Sequence, residues 1–169
     1  MPSGAGNTFS YKLSDGSIIL IPDLTGVLPV YQGQIAVWDA TLNGGNGGVR
    51  AASTQADIAN FIGVAEQNSI LNSLLEQLPT VRVGFQGVYY LNTTAAEVYK
   101  YGTKVFFNES IAGALQVTSN TNAGARTIAV GYVILPNQTM LAGITTVTGA
   151  AGVQIPVAII GQWPVVGLA

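Results

Sequence analysis

The chain has 169 residues and a formal net charge of -2, and only 8% of its residues are charged although 49% are hydrophobic. It has no cysteine and no histidine, which removes disulfides, thiolate metal sites, and the commonest general base and metal ligand. Its basic residues, Lys12, Arg50, Arg82, Lys100, Lys104 and Arg126, are scattered apart from the pair at 100 and 104, and direct nucleic-acid binding needs a patch.

The length favours one domain with appended arms. A monomeric soluble domain keeps more charge on its surface than this, so much of the surface is expected to face other protein. Met1 to Ser10 carries no lysine, arginine or apolar run, and no signal peptide is expected there. Val153 to Ala169 is interrupted by Gln154, Pro156, Gln162 and Pro164, and a membrane helix is not expected either.

In chain order, Phe9 to Leu13 alternates and Ser17 to Ile21 is an apolar run that ends at Pro22-Asp23. Both read as short strands. Val27 to Tyr31 reads as extended, with Pro29 marking an edge or a bend, and Gln34 to Asp39 as a strand. Asn43-Gly44-Gly45-Asn46-Gly47-Gly48 lacks the Gly-Lys-Ser/Thr ending of a phosphate loop, so a mobile hairpin tip is expected. Thr54 with Asp57 fits a helix start. Phe61 to Ala65 reads as a strand.

Ile70, Leu71, Leu74, Leu75 and Leu78 then fall on one helical face, which predicts a short helix over 68–77, stopped by Pro79. From Val81 to Leu91, apolar residues recur at odd positions and predict one continuous strand. Thr94 with Glu97 predicts one or two helical turns ending at Tyr101-Gly102. Lys104–Phe107, Ala114–Thr118, Thr127–Leu135 and Val153–Gly161 read as strands. No charged residue follows Arg126. Such a tail is expected to be covered by the chain's own fold, by other subunits or by a larger surface.

This count of short strands predicts an all-β fold: a small β-barrel or sandwich with one short inserted helix and extended N- and C-terminal arms. The expected layout is an arm over 1–29, a barrel core over 30–136 and an uncharged β extension over 137–169. No repeat of 20 to 50 residues is visible. A faint likeness between Ile62-Gly63-Val64-Ala65 and Val130-Gly131-Tyr132-Val133 suggests two equivalent barrel strands.

Catalysis is not expected. Asp15, Asp23, Asp39, Asp57, Glu66, Glu76, Glu97 and Glu109 show no spacing that pairs two carboxylates across a bond. Asp39 and Glu66 each follow a strand and read as solvated strand ends. No Asp-x-Asp-x-Asp-Gly run is present for calcium, and no cofactor or metal is expected. Tyr89-Tyr90 and Phe106-Phe107 place one ring on each face of a strand. One ring of each pair is expected in the core and the other at an interface, in preference to a sugar-stacking platform with Tyr99 and Tyr101. The Asn-x-Ser/Thr triplets at Asn92, Asn108 and Asn137 read as chance.

Four pieces stand in order: Gln34–Ala40, Phe61–Ala65, Val81–Tyr89, and Tyr101–Phe107 followed by Thr127–Val133. This order resembles the small β-barrel decoration (cement) proteins of tailed-bacteriophage capsids. The helical insert, the stretch before Val30 and the tail after Pro136 are additions to that pattern. The resemblance implies a virion protein on the outer surface of an icosahedral shell, bound to the major capsid protein and to copies of itself as a trimer. Phe61, Ile62, Val64, Val81, Val83, Phe85, Ile128 and Val130 are the expected core. Phe9, Tyr11, Ile19, Ile21, Leu74, Tyr90, Val157, Ile159 and Trp163 are the expected contact residues. The alternatives are a shell-forming coat subunit and a carbohydrate-binding adhesin module.

Overall fold

A computed structural model describes residues 8–11, 16–69, 79–93, 97–108, 116–121, 124–134, 146–148 and 153–160. The expected leucine face, with Leu74, and Trp163 lie outside them. The strands are β1 (Thr8–Tyr11), β2 (Ser17–Leu20), β3 (Ile35–Asp39), β4 (Gly48–Ala51), β5 (Phe61–Ala65), β6 (Val81–Gly84) and β7 (Gln86–Thr93). They continue with β8 (Val98–Lys100), β9 (Lys104–Phe107), β10 (Gln116–Thr118), β11 (Ala129–Val133), β12 (Thr146–Thr148) and β13 (Gln154–Ile160). A helical turn, Leu42–Gly45, joins β3 to β4, and a 3-10 turn, Ala56–Asn60, precedes β5. The all-β small-barrel architecture with strand arms is as expected.

Two five-stranded units follow one another, and they have the same topology. The first runs β2-β6-β5-β3-β4. It closes where Pro22 bridges Val49 in parallel and the Val49 N–H donates to the Ile21 carbonyl at 2.9 Å. The second runs β7-β13-β11-β9-β10 and closes through a parallel β10–β7 pairing. All other neighbours in both units are antiparallel.

The match extends to single residue pairs. Ile18 opposite Val83 and Leu20 opposite Val81 correspond to Tyr89 opposite Val157 and Leu91 opposite Ile155. Trp38 opposite Val49 corresponds to Phe107 opposite Val117. Ile35 opposite Val64 corresponds to Lys104 opposite Tyr132. Both β3–β5 and β9–β11 shift register one step further on. The turns match as well: Gly33 N–H donates to the Ala65 carbonyl and Gly102 N–H to the Val133 carbonyl. Both glycines have positive φ, 87° and 79°.

The interiors therefore correspond position by position. Ile18, Leu20, Val30, Ala36 and Trp38 of the first barrel have counterparts Tyr89, Leu91, Tyr99, Val105 and Phe107. Val49, Ile62, Ala65, Val81 and Val83 match Val117, Val130, Val133, Ile155 and Val157. The barrels also share a core. Ile35, Val37, Phe61 and Val64, with Ile58 from the 3-10 turn, join the cluster built on the second barrel's interior. Strand β3 thus sends Ala36 and Trp38 into its own barrel and Ile35 and Val37 towards the other. A strand buried on both faces needs no polar alternation, and each fully buried Val or Ile stabilises the fold by about 1.5–3 kcal/mol.

Several sequence expectations are corrected. The run Val81–Leu91 is two strands, broken at Phe85, because β6 belongs to the first barrel and β7 to the second. Phe85 is half-buried at that crossing, and Ile128 is also half-buried against the shared core. Residues 98–100 are strand β8 paired with β12, where helical turns were expected. Residues 27–31 are a loop with no strand pairing among the described residues. β13, read as part of a C-terminal extension, lies between β7 and β11. Val157 and Ile159, expected as contact residues, are 0% and 1% exposed because β13 closes a barrel. Phe106 and Phe107 are both buried, so neither is the expected interface ring.

Candidate interaction surfaces

Among the described residues, no group of three or more Asp, Glu, His or Cys could hold a metal ion. The described carboxylates are engaged within the chain. Asp39 and Asp57 flank Arg50, with Nε–Oδ2 at 2.7 Å to Asp39 and Nη2–Oδ1 at 2.6 Å to Asp57. The Asp39 carboxyl is held down at about 2 by the Thr41 hydroxyl and by Arg50. Burial pushes Asp57 upward, but Arg50 and donors from Ser53 and Thr54 outweigh it and leave it well below the usual carboxylate range. Thr54 N–H donates to Asp57 and Asp57 N–H donates to Thr54 Oγ1, at 2.8 and 3.4 Å. That reciprocity is the one anticipated for a helix start.

Glu66 accepts from the Tyr89 hydroxyl at 3.0 Å. Glu97, expected to start a helix, instead accepts from the Thr118 hydroxyl and from the Ser119 N–H and hydroxyl. Its contacts span more than twenty positions, so local sequence could not reveal them. Arg126 is buried and donates to Asn120 O and Asn108 Oδ1, both at 3.1 Å. Asn108 is buried too, which makes its triplet a poor glycan acceptor.

Among the described residues, five exposed apolar side chains gather in one run, and Val98, Tyr101, Tyr132 and Val153 are exposed elsewhere. Ile19 is 58% exposed, Ile21 41%, Leu24 40%, Val27 75% and Leu28 43%. Ile19 and Ile21 alternate out of the barrel while Ile18 and Leu20 point in. The loop that carries the other three is held firmly. Asp23 accepts from Thr25 N–H, Thr25 Oγ1 and Leu28 N–H at 2.7–3.0 Å. The Thr25 hydroxyl is the main cause holding the Asp23 carboxyl below its ordinary value, against the opposing effect of burial. Asn43 closes the loop from outside: its Oδ1 accepts from Leu24 N–H at 2.8 Å and its Nδ2 donates to Pro22 O at 3.0 Å and to Gly47 O at 2.9 Å. Asp23 is the only charged residue between Gly16 and Asp39, and its carboxylate is bonded within the loop; the exposed Arg82 lies opposite Ile19 on β6.

A second exposed group surrounds the turn from β8 to β9. Tyr101 is 59% and Tyr132 40% exposed, and Lys100 and Lys104 are exposed beside them. Lys104 lies opposite Tyr132 in the ladder. Thr103 N–H donates to Lys100 O, and Lys100 N–H donates to Thr103 Oγ1, which keeps the turn tight.

Of the expected contact residues, Ile19 and Ile21 are on the apolar surface and Tyr90 is half-buried. Phe9 and Tyr11 lie on β1, along the edge of β7. The residues missed from the sequence are Leu24, Val27 and Leu28. The Asp23-Leu24-Thr25-Gly26 turn signal followed by two exposed aliphatics was the available clue. In comparisons with protein-family models, curated proteins and solved structures, nothing matches this chain.

Proposed function

We propose that this chain is a structural assembly protein, a decoration protein that binds the outer surface of an icosahedral capsid, stabilises it and associates with copies of itself. One observation carries the assembly part: the exposed apolar side chains of Ile19–Leu28 continue onto a loop fixed by Asp23 and Asn43. A fixed apolar surface loses little entropy on docking, and contiguous exposed apolar patches of this kind mark protein contacts. The capsid part rests on the order of the strand motifs. The described carboxylates are bonded to Arg50, hydroxyls or amides, which suits a stabilising protein better than an acid–base enzyme.

The test is co-sedimentation of the purified protein with undecorated capsids, with heat resistance of the shell as a second measurement. Saturable binding that raises the shell's melting temperature is expected. Closed shells formed by the protein alone would replace this reading with the coat-subunit one. A carbohydrate-binding reading is favoured by the exposed Tyr101 and Tyr132. It predicts glycan binding that Tyr101→Ala abolishes.

A further inference from the structure

The two barrels hold the same edge twice, and among the described residues only one of the two carries an added strand. On β7, the edge away from β13 carries β1, antiparallel, with Thr8 opposite Tyr90 and Tyr11 opposite Val88. The first barrel's counterpart of Tyr90 is Ile19, since Tyr90 lies opposite Pro156 as Ile19 lies opposite Arg82. Among the described residues, β2 has β6 on one side and only the Pro22–Val49 bridge on the other.

The backbone of Ile19 faces that open side. Gly16 O accepts from Phe85 N–H on the β6 side, and Ile21 O accepts from Val49 N–H on the opposite side. Backbone groups alternate along a strand, so Ile19 directs its N–H and carbonyl outward with Ile21. The counterpart pairing agrees: Pro156 has no N–H to give to Tyr90, and its carbonyl turns away to Ile134. Exposure follows the same contrast, with Ile19 at 58% and Tyr90 half-buried.

We infer that the edge of β2 at Ile19 takes an antiparallel strand from a second copy of this chain. Two features select a second copy. Antiparallel pairing of like edges is compatible with a two-fold axis, the commonest oligomer symmetry. The aliphatic side chains from Ile19 to Leu28 present on the order of 500 Å² of apolar surface per copy, at the upper end for a monomer. Two such surfaces together reach the roughly 1,000 Å² that a specific interface needs. This inference rests on the self-association part of the proposed function and is independent of the capsid.

The test combines sedimentation equilibrium with amide hydrogen exchange at Ile19 over a range of protein concentrations. A reversible dimer is expected, with Ile19 protection that rises with concentration. Val27→Lys, at the most exposed position, and Ile19→Pro, which removes the outward N–H, are each expected to weaken the dimer at least about tenfold while circular dichroism stays unchanged. If Ile19→Pro unfolds the chain, Val27→Lys still decides. A wild type that stays monomeric at high micromolar concentration overturns the inference, as does a dimer that leaves Ile19 exchange unchanged. Capsid binding measured separately keeps the two readings apart: a dimer through Ile19 that binds no capsid overturns only the decoration reading.

Discussion

At the residue scale, the glycines among branched residues mark two different demands. A Cβ on Gly63 would lie 2.1 Å from the Gly84 carbonyl, and one on its counterpart Gly131 would lie 2.3 Å from the Ala158 carbonyl. Neither carbonyl can swing aside, because each belongs to a ladder strand. Gly63→Ala is therefore expected to cost about 3 kcal/mol by overpacking, read from urea unfolding. Gly102 has φ 79° and open space around it. Gly102→Ala should cost only the backbone term, about 1 kcal/mol. Equal losses at the two sites would show that close approach is not what Gly63 supplies.

The Asp39–Arg50–Asp57 group sets an acid limit. Folding lowers Asp39 from 3.8 to about 2 and lowers Asp57 as well. A carboxyl depressed in the folded state stabilises the fold fully above its unfolded value and loses that contribution as pH falls through the folded one. Stability should therefore fall as pH drops from about 4 towards 2. Asp39→Asn should remove on the order of 1 kcal/mol at neutral pH and flatten the acid slope, measured by denaturant titration at several pH values. An unchanged slope would mean that the pair contributes nothing to the acid limit.

At the element scale, the same strand plays two parts in the two barrels. Strand β3 carries Ile35 where β9 carries Lys104, and β5 carries Val64 where β11 carries Tyr132. Ile35 and Val64 are buried against the second barrel, whereas Lys104 and Tyr132 face solvent. Ile35→Lys would bury an unpaired charge between the barrels and is expected to cost more than about 3 kcal/mol. Thermal unfolding within about 5 °C of wild type would contradict the shared core.

This difference also explains what the sequence revealed. Short apolar runs bounded by turn residues located β2, β3, β5, β9, β11 and β13, since each must bury at least one face. The duplication was nearly invisible, because a barrel interior asks only for volume and apolarity: Ala36 is matched by Val105 and Val30 by Tyr99. The one legible trace was the glycine in Ile62-Gly63-Val64-Ala65 and Val130-Gly131-Tyr132-Val133, where backbone approach tolerates no substitute. The break at Phe85 left no sign, since β6 and β7 pattern as one strand while serving different barrels. The apolar surface was half legible: Ile19 and Ile21 stood out, but Leu24 to Leu28 depend on the Asp23 turn.

At the scale of the whole molecule, one barrel packs on the other through a face whose counterpart on the second barrel is chemically different. The first barrel uses Ile35, Val37, Ile58, Phe61 and Val64 to join the second. The second barrel's counterparts of Ile35, Val37, Phe61 and Val64 are Lys104, Phe106, Ala129 and Tyr132. Lys104 and Tyr132 are exposed, while Phe106 is buried. Polar groups on the outward face of a repeat oppose the stacking of another on it, and the charge on Lys104 opposes burial unless it is paired. Restoring the first barrel's residues with Lys104→Ile and Tyr132→Val should therefore uncover an apolar face without disturbing the interior, where neither side chain packs. The expected outcome is concentration-dependent association beyond any dimer, seen by light scattering, with β content unchanged. This growth uses a face remote in sequence from Ile19, so adding Val27→Lys should leave it intact. A double variant that stays at the wild-type oligomeric state would mean that the capping face has nothing complementary to meet, and that the fit between the two barrels is confined to the chain that built it.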